Sequence, residues 1–260
     1  MHILCAIFLI ALTSLAQARE LVRVGAYHFP PYIIKPESQN ASGLLPELLV
    51  LLNQAQEDYR FELVPTAVSR RYRDFQDARF DLILFESPSW GWEDIPKSAV
   101  DLLIEDAEVY VARAEAGRGE SYFDELKGKR LALYNGYHYG FAGFNADQNY
   151  LTTTYDAVLT YSHDSNLMML QRSRADIVVI TRSYLRLYRQ RHPEQSQALL
   201  VSQRLDQAYH HHALLRPQAP IGPQAFADLL QALRSSGQLQ ILLDRYHLPA
   251  VVQTTKQGPG

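Results

Sequence analysis

Two successive runs of alternating strand and helix signals constrain this chain more than any other feature. In the first run, a buried strand over Val22–Ala26 leads into an aromatic, proline-rich loop, Tyr27–Tyr32, and then into a helix. Ser42 stands in N-cap position, and Leu44, Leu45, Leu48, Leu49, Leu51, Leu52 and Ala55 give the helix a wide apolar face. Pro46 falls in its first turn, where the missing N–H costs nothing. A strand over Phe61–Thr66 follows, then an arginine-rich helix over Ser69–Ala78 with Tyr72 and Phe75 facing inward, then an apolar strand over Asp81–Phe85. Alternation of this kind gives parallel strands joined by right-handed crossovers. Ligands on such sheets bind beyond the carboxyl ends of the strands.

The second run begins with a short helix and tight turn over Phe123–Arg130 that enter a strand at Leu131–Tyr134. Tyr150–Tyr155 reads as a strand, Asp164 as the cap of a helix carrying Leu167, Met168 and Leu170, and Asp176–Ile180 as a buried strand. Tyr184, Leu187 and Tyr188 mark one face of a further helix, and Leu199–Val201 is a short strand. Extended segments near 105–113 and 210–216 join the two runs. Two amphipathic helices, marked by Phe226, Leu229, Leu230 and Leu233 and then by Leu239, Leu242, Leu243 and Tyr246, close the fold on either side of Gly237. The expected class is therefore α/β, a two-lobed fold with a hinge of two strands that closes on a ligand. Lobe 1 is expected over 19–107 plus 214–252, lobe 2 as an insertion over 108–213, and a disordered tail over 253–260.

At 260 residues the chain is long enough for two modest cores. A net charge of −3 gives no reason to expect nucleic acid or an anionic membrane as partner. The apolar run Ile3–Leu15 ends in Ala16-Gln17-Ala18, a small-x-small pattern, so residues 1–18 read as a cleaved signal peptide and the product as periplasmic. The single cysteine, Cys5, lies inside that leader. The mature chain thus offers no disulfide, no cysteine nucleophile and no thiolate metal site. The 16 tyrosines suit contact with small polar ligands, since each pairs an apolar face with a polar tip.

Four stretches resemble the bacterial extracellular solute-binding protein family 3, the type II periplasmic binding proteins of polar amino acid transport. They are Arg23-Val24-Gly25 with Pro30-Pro31-Tyr32; Gly43-Leu44-Leu45-Pro46-Glu47-Leu48; Leu126-Lys127-Gly128-Lys129-Arg130-Leu131; and Asn166–Leu170 with Arg174-Ala175-Asp176. The resemblance spans roughly residues 20 to 247. It implies capture of a small-molecule ligand between two lobes and delivery to a membrane permease or a membrane sensor. Two departures weigh against a plain α-amino acid. The family's arginine fork after the third strand is missing from Trp90–Asp101, where Lys97 supplies only a point charge. The carboxylate that the family places at the strand end for an ammonium group is missing at Ile180-Thr181-Arg182.

The candidate ligand-binding residues follow from the strand ends. Tyr27, Phe29 and Tyr32 offer an aromatic floor, although one or two of them could instead fill the core. Arg70 opens a helix where an anion would be welcome. Glu86, Trp90 and Trp92 follow the third strand, and a spacing of two could put both indoles on one side of the loop. Asn135, Tyr137 and His138 lie in a glycine turn whose backbone N–H groups could hold a carboxylate. Thr181 completes the set. His210, His211 and His212 alternate faces in an extended strand, so only two share a side, and no metal site is expected. No cofactor is expected, and the protein is expected to act as a monomer. A sensor or accessory protein of the same fold is an alternative. So is a cleft enzyme such as a small dehydratase, for which Glu86 is the only evident carboxylate.

Overall fold

The computed structural model describes residues 18–249. The expected leader lies outside this range except for its last residue, and the expected tail lies outside it entirely. One sheet of eight strands runs through the molecule in the order β2-β1-β3-β8-β4-β7-β5-β6. In lobe 1, β1 (Glu20–Ala26) pairs in parallel with β2 (Tyr59–Pro65) and β3 (Leu82–Glu86). In lobe 2, β5 (Leu131–Tyr134) pairs in parallel with β6 (Ala157–Thr160) and β7 (Ile177–Thr181). Between them run two long antiparallel strands, β4 (Ser98–Arg113) and β8 (Leu199–Leu215). The expected short strand at 199–201 and the extended segment at 210–216 are thus one continuous element.

The two strands change core as they cross. Leu102 and Ile104 of β4 join the lobe 1 core, whereas Val109 and Val111 join a lobe 2 core. Tyr209 and Ala213–Leu215 of β8 pack with lobe 1, and Leu199 with lobe 2. The two-lobed fold with a two-strand connection therefore agrees with the sequence expectation.

Each lobe is fastened by the same device. Asp81, just before β3, accepts from the Arg23 backbone N–H at 2.9 Å and from its Nε and Nη2 at 3.0 and 2.8 Å. Asp176, just before β7, accepts from the same three groups of Arg130 at 2.9, 3.0 and 2.7 Å. Burial pushes Asp81 up, but the bonds from Arg23 and Arg216 outweigh it and hold the carboxyl below its ordinary range. Asp81 is buried and Asp176 is not. Asp81→Asn is accordingly expected to cost about 2–3 kcal/mol, since it weakens several charge-assisted bonds in a dry setting. Asp176→Asn, screened by solvent, should cost much less. Urea denaturation of the two variants checks the difference.

Three local expectations are corrected. Helix α1 (Leu44–Gln54) is preceded by Gly43 at φ 109° and has no side-chain cap, so Ser42 does not serve as one. The carbonyls of Pro31 and Tyr32 accept from Leu44 and Leu45 N–H instead, and a Cβ at Gly43 would lie 2.6 Å from the Tyr32 carbonyl. Residues 150–155 form most of helix α3 (Gln148–Tyr155), not a strand. Asp147 caps it by accepting from Tyr150 N–H at 2.7 Å. The Thr152 and Thr153 hydroxyls, which suggest β structure, donate to carbonyls four residues back at 2.9 and 2.7 Å. Helix α4 (His163–Gln171) is capped by Ser162, with Asp164 in its first turn, and Met168 is exposed.

The remaining helices cover the sheet. α2 (Arg71–Gln76) is shorter than the expected 69–78. α5 (Arg182–Arg191) and α6 (Pro193–Gln197) return the chain to β8. α7 (Pro223–Ser235) and α8 (Gln238–Arg245) bury Phe226, Leu230, Leu233, Leu239, Leu242 and Leu243 against lobe 1. No helix among the described residues is long and apolar enough to cross a membrane.

Candidate functional site

The carboxyl ends of β1 and β3, the start of α2, the turn after β5 and the middle of β4 and β8 converge on a small inner chamber. Its walls are Tyr27, Phe29, Arg71 and Trp90 from lobe 1, Gly136, Tyr137 and His138 from lobe 2, and Glu108 and Gln207 from the connecting strands. The chamber measures about 10 Å³, room for one water. A larger cavity of about 460 Å³ shares Val68, Arg71, Gly136 and His138 with it and is lined further by Thr66, Tyr72, Tyr134 and Asn135.

Polar contacts close the lobes over this chamber. The Tyr72 hydroxyl lies 2.8 Å from His138 Nε2, and Trp90 Nε1 donates to Gln207 Oε1 at 3.1 Å. The Phe29 and Tyr137 rings meet edge to face at 5.7 Å. Gly136, at φ 82°, lets the turn press on lobe 1, since a Cβ there would lie 2.7 Å from Val68 Cγ1. Burial pulls the His138 imidazole below its ordinary range, so it stays neutral at pH 7.

The cleft arginine is Arg71, not Arg70. Arg70 is exposed and lines neither cavity. Arg71 is buried, with its Nε 3.0 Å from Glu86 Oε1, its Nη1 donating to the Val68 carbonyl, and its guanidinium over the rings of Tyr72 and Tyr27 at 4.3 and 5.2 Å. Burial disfavours its charge, but Glu86 and the surrounding tyrosines more than offset that. The helical register held this signal. Arg71 is four residues before the inward-facing Phe75, whereas Arg70 is on the far side.

The other candidate residues separate into cleft and core. Tyr27 and Phe29 line the inner chamber. Tyr32 is core, stacked on Phe85 at 4.7 Å, with its hydroxyl donating to Asp106 Oδ2 at 2.7 Å. The two indoles do not share a side. Trp90 faces the chamber against Tyr209, with ring centroids 4.7 Å apart, whereas Trp92 is buried in lobe 1 and donates to Glu86 Oε2 at 2.8 Å. Glu86 is thereby engaged with Trp92 and Arg71 and lines neither cavity. Tyr137 and His138 line the inner chamber and Asn135 the outer one.

Thr181 is buried and donates to Glu108 Oε1 at 2.8 Å, the residue paired with it across β7 and β4. The carboxylate absent from the end of β7 is therefore present one strand over. Glu108 also accepts from the Tyr209 hydroxyl at 3.1 Å, while its Oε2 has no hydrogen-bond partner among the described residues. Burial, reinforced by the Asp106 charge, pushes the Glu108 carboxyl well above its ordinary range. The sequence signal is Asp106 and Glu108 at i, i+2 in a strand, so that one face carries two acids.

Two backbone N–H groups at the end of the lobe 2 turn are already engaged. Gly140 and Phe141 N–H donate to the two carboxylate oxygens of Asp206 at 2.7 and 2.9 Å, and the Tyr110 hydroxyl donates to the same group at 2.7 Å. A carboxylate is held there, but it belongs to β8. The histidine triplet divides as expected: His210 lies 3.1 Å from Asp101, His212 bonds the His210 carbonyl, and His211 points into the aromatic core.

No protein-family profile matches the chain, and no curated protein sequence does. Solved structures do match. A substrate-binding protein of an ABC uptake transporter from Streptococcus pneumoniae with bound histidine superposes with TM-score 0.70 at 15% identity, covering 87% of this chain and 92% of that one. A mutant of ArgBP from T. maritima matches with TM-score 0.65 at 18% identity over 89% and 96% of the two chains. A histidine kinase sensor domain with similarity to periplasmic binding proteins matches with TM-score 0.66 at 18% identity over 88% and 96%. At these identities the likeness carries the architecture, and the chain has the two-lobed fold of the periplasmic binding proteins.

Proposed function

We propose that the protein captures a small polar ligand, amino-acid-like or related, between its lobes and presents the closed form to an ABC-type permease. The observation that carries this reading is the chamber itself: residues from both lobes and both connecting strands meet there around a buried arginine and a buried acid. Export by the leader over 1–18 would bring the chain to the periplasm, where it would act as a monomer. The likeness to a transporter's binding protein supports this role, and the likeness to a kinase sensor domain favours the sensor as the second reading.

A thermal-shift screen of amino acids, peptides, organic acids and amines tests the proposal. A ligand at 100 times its Kd is expected to add about 2.7 kcal/mol. That raises the melting temperature by about 5–10 °C for a chain of this size. Absence of a shift from every class would remove the reading.

A further inference from the structure

The side-chain cations around the cleft that could receive a ligand carboxylate already face an acceptor. Arg71 faces Glu86 at 3.0 Å and donates to the Val68 carbonyl. The Gly140 and Phe141 amides hold Asp206. Lys97 Nζ donates to the carbonyls of Trp92 and Ile95, and Arg182 pairs with Glu105 at 3.2 Å. The buried groups around the cleft that lack a hydrogen-bond partner among the described residues are mostly of the opposite character, the exception being Arg71 Nε, which meets Glu86 only as an ion pair. Glu108 Oε2 and Asn135 Oδ1 are acceptors, and the Tyr137 hydroxyl can serve either way. Buried polar atoms are normally paired, so two unmatched acceptors beside a cleft call for a donor from outside.

The walls agree with the acceptors. Tyr27, Phe29, Trp90 and Tyr137 surround the chamber, and ring faces attract cations. Resting on the cleft reading above, we infer that the site takes an organic ammonium ion without a carboxylate, its charge received by Glu108 and the surrounding rings. The ammonium head occupies the inner chamber once the Tyr72–His138 and Trp90–Gln207 contacts part, and the remainder of the ligand lies in the adjoining cavity of about 460 Å³. A carboxylate carried alongside would meet Glu108 at the inner chamber, where Arg71 is already paired with Glu86. Burial and the Asp106 charge push the Glu108 carboxyl up, and an ammonium ion beside it would favour its charged form.

Matched pairs that differ by a carboxylate test the inference on the purified protein: agmatine against arginine, and 2-phenylethylamine against phenylalanine, titrated by calorimetry. The decarboxylated member of at least one pair is expected to bind at least tenfold more tightly than its amino acid. Glu108→Gln is expected to weaken that binding at least tenfold. Should the Glu108 variant fail to fold, the preference within each pair still decides in the unaltered protein. Tighter or equal binding of the amino acids overturns the ammonium inference and leaves the ligand-binding reading intact. Binding of the amine unaffected by Glu108→Gln also overturns it. If amines and amino acids both fail to bind while the broad screen finds another ligand, the inference falls alone; if the screen is blank too, both fall.

Discussion

Replacing Arg71 by alanine is expected to lower stability by about 3–5 kcal/mol, because it strands Glu86 in a dry interior without its countercharge. At about 2–4 °C per kcal/mol, the melting temperature should fall by roughly 6–20 °C. Arg70→Ala, one residue away and exposed, should stay within about 0.5 kcal/mol. The double variant Arg71→Met, Glu86→Leu should recover much of the loss, since an apolar pair of similar volume carries no desolvation cost. Urea denaturation of the wild type and the three variants gives the comparison. Equal stability of the Arg71 and Arg70 single variants would show that the buried pair does not stabilise the fold.

The second large effect concerns pH. His211 is fully buried among Phe29, Tyr32, Phe85, Trp90 and Tyr209, and neither ring nitrogen has a hydrogen-bond partner among the described residues. Burial lowers its pKa to about 3. In the unfolded chain it takes a proton near pH 6.5, so between about 6.5 and 3 the unfolded state binds one proton more. Stability from this residue is therefore complete above pH 6.5 and declines as the pH falls, by about 1.4 kcal/mol per unit. The raised acids Glu108 and Asp106 act in the opposite sense, so the total slope is a balance of both kinds. The difference between wild type and His211→Phe isolates the histidine. The variant should be close to wild type at pH 7.5 and more stable by about 2–3 kcal/mol at pH 5. Parallel pH profiles of the two proteins would mean that His211 can protonate within the fold.

Much of the architecture was legible because buried parallel strands announce themselves. DLILF and DIVVI are short, apolar and bounded by polar residues, and they became β3 and β7 within one residue of expectation. The helix at 148–155 was not legible, because its threonines favour strands when judged alone. Only the backbone, once coiled, supplies the carbonyls that their hydroxyls bond.

The cleft was readable by location and not by membership. Strand ends pointed to Tyr27, Phe29, Trp90, Tyr137 and His138, all of which line the inner chamber. Choosing Arg71 over Arg70, or Trp90 over Trp92, needs the register of one turn or loop, which alternation of apolar residues leaves open. Asp206 was out of reach for a different reason. Its contact with Gly140 joins residues 66 apart in the chain, and no local pattern marks it.

The two long strands also determine what any membrane partner can perceive. Their ladder has register shifts between Asp101 and Glu105 and around Val109, on either side of Glu108. These irregularities and Glu108, the acid proposed to face the ligand, thus occupy the same few residues, with Gln207 directly opposite. On the proposed function, occupancy would be converted into a change of angle at its point of origin, without an intervening relay of side chains. A docking receptor would read the spacing between two rigid surfaces, and the chemical identity of the guest would remain private to the cleft.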